Sequence, residues 1–65
     1  MSDDKVEICC DILKETDEAF LIRQGDLEVW VPKSQFIENP DEYMEGDENV
    51  SFSIPVWLAE KKGLV

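Results

Sequence analysis

The stretch Glu18-Ala19-Phe20-Leu21-Ile22-Arg23-Gln24-Gly25-Asp26-Leu27-Glu28-Val29-Trp30-Val31 decides the fold class. Successive side chains of a strand point to opposite sides, so Phe20 and Ile22 fall on one face and Ala19, Leu21 and Arg23 on the other. Both faces are partly apolar, which places residues 18–24 in the middle of a sheet. Gln24-Gly25-Asp26 is a tight turn whose glycine can take a positive φ. Alternation then resumes, with Leu27, Val29 and Val31 inward and Glu28 and Trp30 outward.

Upstream, Val6, Ile8, Cys10 and Ile12 share one face of residues 5–13, while Glu7, Cys9 and Asp11 share the other. This is the pattern of a half-buried strand. A polar turn at residues 14–17 joins it to the hairpin, giving an antiparallel meander, and residues 1–4 form a short polar terminus that frays. Downstream, Pro32 ends or bends the third strand because it cannot donate a ladder hydrogen bond. Lys33-Ser34-Gln35 follows, and Phe36-Ile37 anchors the next segment to the body.

That segment, Glu38-Asn39-Pro40-Asp41-Glu42-Tyr43-Met44-Glu45-Gly46-Asp47-Glu48, carries six acids in eleven residues and no base, with Tyr43 and Met44 in its middle. Asn39 suits the cap of a short helical turn, Pro40 its first position, Glu42 the capping-box partner and Gly46 its end. Asp41 and Glu45 would then share a face. The segment reads as an interaction surface; the plainer alternative is a solvated, capped turn whose acids suit a helix N-terminus.

Residues 49–54 alternate once more, with Val50, Phe52 and Ile54 inward. Pro55 at a first helical position and Gly63 just past the end bracket a two-turn helix. Lys61 and Lys62 lie where the helix dipole favours cations, and Leu64 closes the end against Ala59. Ile54, Trp57 and Leu58, spaced i, i+3, i+4, give its packing face and make Trp57 a core residue. Trp30 would then lie as a lid over the far face of the sheet. The expected architecture is mainly β with one helix (α+β): a four- to five-stranded antiparallel sheet or small open barrel, with a short C-terminal helix. Residues 5–65 form one small domain.

Sixteen acids against six bases give a net charge of −10 in 65 residues, yet 43% of the chain is hydrophobic. Disordered acidic tails lack apolar groups that could offset the ordering entropy, so a folded acidic domain is expected. Its charge disfavours direct contact with nucleic acid or an anionic membrane and favours a basic protein surface. A domain of this length has a diameter of roughly 28 Å, and duplex DNA of that length carries about 16 phosphate charges. The gross acidic count is similar.

Little in the chain suits catalysis. Without histidine, Ser-His-Asp and Cys-His constellations are excluded. Cys9 and Cys10 are adjacent and point to opposite faces, which suits neither a relaxed disulfide nor a shared metal and fits reduced thiols in a cytosolic protein. Glu7 and Asp11 flank Cys9 and disfavour its thiolate. Residues 41–49 lack calcium-loop spacing, and there is no glycine-rich phosphate loop. No basic start followed by an apolar run suggests a signal peptide or a membrane span. The expectation is a cytoplasmic, monomeric, non-enzymatic protein with no cofactor and no metal.

Glu28-Val29-Trp30-Val31-Pro32-Lys33-Ser34-Gln35 and Ile54-Pro55-Val56-Trp57-Leu58-Ala59-Glu60-Lys61-Lys62-Gly63-Leu64 resemble segments of a family of small phage, prophage and plasmid proteins. The resemblance covers the second half of the chain well and the first half loosely. It implies a mobile-element origin more than an activity. In size and acidity the chain is also similar, as a class, to anti-CRISPR and anti-restriction inhibitors that imitate DNA. The expected function is therefore an acidic DNA mimic occupying the basic DNA-binding channel of a host defence complex, with a CRISPR surveillance complex the leading candidate. Glu38, Asp41, Glu42, Glu45, Asp47 and Glu48 would make the contact, with Glu7, Asp11 and Glu28 as a second patch on the outer sheet face. The alternative is a small β-barrel interaction module of phage or plasmid DNA metabolism, with Trp30, Pro32, Lys33 and Gln35 in contact and the acids conferring solubility.

Overall fold

A computed structural model describes residues 4–65, so the expectation for residues 1–3 lies outside the described residues. Four strands, β1 (Lys5–Glu15), β2 (Ala19–Gln24), β3 (Leu27–Pro32) and β4 (Val50–Pro55), form one antiparallel sheet in the order β3-β2-β1-β4. Helix α1 (Val56–Lys62) follows β4 directly. β2 is internal, as its two-sided apolar pattern requires. The β2–β3 hairpin turns on Gly25 at φ 62° with Gln24 opposite Leu27, the glycine-first two-residue turn that matches strand twist.

β1 is longer than its alternation suggests and runs on to Glu15. Its first half, Lys5 to Cys10, pairs with Pro55 to Val50 of β4; its second half, Asp11 to Glu15, pairs with Arg23 to Phe20 of β2. Within the second half the β1–β2 register slips by one residue at Leu13, an extra residue that bends the strand. The polar turn is correspondingly shorter than expected, and the Thr16 hydroxyl ties it by accepting the Glu18 and Ala19 N–H groups.

The core lies on the inner face, where Ile8, Cys10, Ile12, Phe20, Ile22, Val31, Phe52 and Ile54 meet Phe36, Leu58, Ala59 and Leu64. Pro55 is the last residue of β4 and the N-cap of α1, with extended ψ of 143°, so it precedes the first helical position instead of occupying it. The helix ends as the Gly63-Leu64 pair predicts: Gly63 takes φ 79°, and the Leu64 N–H reaches the Ala59 carbonyl at 2.8 Å. Trp57 is 54% exposed, which corrects its assignment to the core. Ile54 belongs to β4, so the helical spacing counted back through it does not exist. Asp4, expected in a frayed terminus, accepts the Val56 N–H at 3.2 Å and helps hold the helix start. The Cα radius of gyration is 10.8 Å.

Candidate interaction surface

The acidic segment is folded onto the body, and several of its acids do the fastening. Its entry is fixed by Phe36, which stacks on Phe52 at 4.3 Å between ring centroids and lies 5.5 Å from Phe20. Ile37, expected to share that anchor, is 49% exposed and contributes its backbone: its N–H donates to the Ser53 carbonyl at 3.0 Å. Next to it, a Glu38 carboxylate oxygen accepts the Ser53 N–H at 2.6 Å. That donor holds the Glu38 carboxyl below its ordinary value.

Asn39 caps as expected, accepting the Asp41 N–H at 3.0 Å, but the helical turn is a single 3-10 turn over Pro40–Glu42 that ends at Tyr43. Asp41 and Glu45 therefore do not share a helical face. The Glu45 carboxylate instead accepts the Glu15 N–H at 3.1 Å. Gly46, at φ 94°, serves a separate turn that is closed twice, by the Asp47 N–H on the Met44 carbonyl and by the Met44 N–H on the Asp47 carboxylate. Gly46 and Asp47 then bond both backbone groups of Ile12, continuing the line of β4 along β1.

Tyr43 is part of the packing. Its ring lies 6.0 Å from Phe36 and 5.7 Å from Phe52, and its hydroxyl donates to the Ser51 carbonyl at 2.9 Å. Burial, then the charges of Glu38 and Glu42, raise its pKa. Of the two side chains expected on this surface, Met44 is exposed at 62%, whereas Tyr43 is half-buried. Asp41, Glu42 and Glu48 are exposed, and their side chains accept no hydrogen bond from the described residues.

On the outer sheet face, Glu28 lies opposite Arg23 and Arg23 opposite Asp11. Arg23 pairs with Asp11 at 3.2 Å, and the other Asp11 oxygen accepts the N–H of Asn49, which sits at φ 54° where the chain turns into β4. The Asn49 N–H, then Arg23, lower the Asp11 pKa. This patch therefore contains a cation between two of its acids, while Glu7 stands apart opposite Ser53. Cys9 is exposed beside the Ser51 hydroxyl at 3.3 Å, and burial pushes the Cys10 thiol up to about 12, leaving it un-ionised.

No protein-family model, curated protein or solved structure matches the chain. Among the described residues, no three Cys, Asp or Glu side chains gather as metal ligands would, and no helix is long and apolar enough to cross a membrane. Of the residues in the alternative contact, Trp30 is 43% exposed and borders an open depression with Thr16, Asp17, Glu18 and Ala19. Lys33 is engaged internally: its ammonium meets Glu15 at 2.7 Å and lies 4.8 Å from the Phe20 ring centroid. Lys33 in turn lowers the Glu15 pKa.

Proposed function

We propose that the chain is an acidic DNA mimic that occupies the basic DNA-binding surface of a host defence complex, a CRISPR surveillance complex first among them, and blocks target recognition. One observation carries the reading: residues 38–48 are fastened to the sheet through the carboxylates of Glu38 and Glu45 and the backbone of Gly46 and Asp47, so Asp41, Glu42 and Glu48 project from a fixed track. Carboxylates carried on a fixed backbone require less ordering of the chain on binding than those of a floppy tail. A fastened carboxylate still has acceptor sites to spare. The described residues extend 34 Å, a length over which duplex DNA carries about 20 phosphate charges. The resemblance to phage, prophage and plasmid proteins supports the same setting, a monomer in the host cytoplasm whose partner is a basic protein or ribonucleoprotein and not nucleic acid or membrane.

The test uses a purified surveillance complex and a labelled target duplex in a gel-shift competition. The wild-type chain should displace the duplex, less effectively as salt rises. The triple variant D41K/E42K/E48K moves the net charge from −10 to −4 without removing a side-chain hydrogen bond among the described residues, so it should fold normally. Its inhibition should fall by on the order of a hundredfold. Undiminished inhibition by the folded variant would remove these acids from the contact, and absence of displacement by the wild type would remove the function. The exposed Trp30 favours the interaction-module reading instead, which Trp30→Ala tests by loss of a partner held at high salt.

A further inference from the structure

The two edges of the sheet are finished differently. Along β4, Ser53 is covered by the Ile37 N–H and the Glu38 carboxylate, and the Ser51 carbonyl by the Tyr43 hydroxyl. Along β3 no described segment does the same. The Lys33 N–H reaches Glu18 on the β2 side, and the Ala19 carbonyl receives the Thr16 N–H on the β1 side. Bonding alternates along an antiparallel ladder. With Ala19 opposite Pro32, Leu27, Val29 and Val31 therefore turn their backbone groups to β2, and Glu28 and Trp30 turn theirs outward. Two N–H and two carbonyl groups stand in register for an added strand.

We infer that the free edge of β3 accepts an extended, basic segment of a partner protein as a fifth strand. The surroundings choose the occupant. Leu27 and Val29 are half-buried on the inner face at this edge, so inward side chains of the added strand would be apolar. On the outer face stand Glu28 and the exposed Trp30, whose depression is lined by Asp17 and Glu18 and by no basic residue. A Lys or Arg facing outward on the added strand stands beside the Glu28 carboxylate and the Trp30 ring. A second copy is the poorer occupant, because two bodies of charge −10 repel and each would bring its own Glu28 to the edge. This inference is independent of residues 38–48.

The experiment follows amide signals of the isotope-labelled full chain by NMR while a synthetic peptide of alternating Arg and Val is added, with an alternating Glu and Val peptide as control. Saturable binding of the basic peptide alone is expected, with hydrogen exchange at Glu28 and Trp30 slowed at least about tenfold. Trp30→Ala, which keeps the backbone N–H, should weaken binding by about tenfold. Trp30→Pro, which removes it, should abolish protection at Glu28 while circular dichroism stays unchanged. Binding without protection of these two amides would reduce the effect to charge attraction and overturn the proposal. So would no binding, equal binding of the acidic peptide, or protection of the same amides by self-association without peptide.

Discussion

Glu38 accepts the Ser53 N–H at 2.6 Å, supplying an acceptor where the edge of β4 would otherwise present an unpaired donor. Removing the side chain leaves that donor to water, and Glu38→Ala should lower stability by about 1 to 2 kcal/mol in urea unfolding. Glu38→Gln keeps a carbonyl in the same place and should cost less than half as much. Because the folded carboxyl lies below its ordinary 4.5, the charged bond contributes fully above that pH and is lost as pH falls through the lowered folded value. The stability difference between wild type and Glu38→Gln should shrink over that acid window; a difference that stays constant there would exclude the charged bond as its source. Three of the six acids in residues 38–48 thus have structural duties that composition does not reveal. A carboxylate fastened to a backbone N–H and one facing water look alike in a sequence.

Helix α1 shows where periodicity serves and where it misleads. Leu58 and Ala59 are buried and Trp57 is not, so Leu58→Ala should cost about 2 to 4 kcal/mol while Trp57→Ala stays within about 0.5. Thermal unfolding of the two variants checks the ranking, and a larger loss for Trp57 would restore it to the core. The strands were legible because alternation is local: Phe20, Ile22, Phe52 and Ile54 all lie inside, on the faces their spacing assigns. The slip at Leu13 left no such mark, since it is a feature of how β1 pairs with β2 and not of either strand's own spacing. Tyr43 was equally hidden, because it joins Phe36 and Phe52 across a loop with no repeat. At the candidate surface the capping residues Asn39 and Pro40 were readable from local chemistry, whereas the Glu45 to Glu15 bond depends on a fold already formed.

Across the whole molecule, sixteen acids face six bases, and the described residues contain two ion pairs, Asp11–Arg23 and Glu15–Lys33. At about 0.01 M salt the Debye length of roughly 30 Å nearly spans the body, and at about 1 M it falls to roughly 3 Å. Self-repulsion should then be screened and the unfolding temperature should rise over that range. A falling temperature would mean that the two ion pairs outweigh the repulsion. The division of β1 between two neighbours also sets an order of events in time. The β2–β3 hairpin closes two residues, whereas the contact of Lys5 with Pro55 closes about fifty and costs roughly 3 kcal/mol more in chain entropy. The hairpin then belongs to the folding nucleus and β4 docks after the barrier, so Ile22→Val should slow refolding and Ile54→Val should chiefly speed unfolding in stopped-flow chevrons. The reverse pattern would place β4 in the nucleus. In synthesis from the N-terminus, the first half of β1 waits for its partner until residues 50–55 have been made.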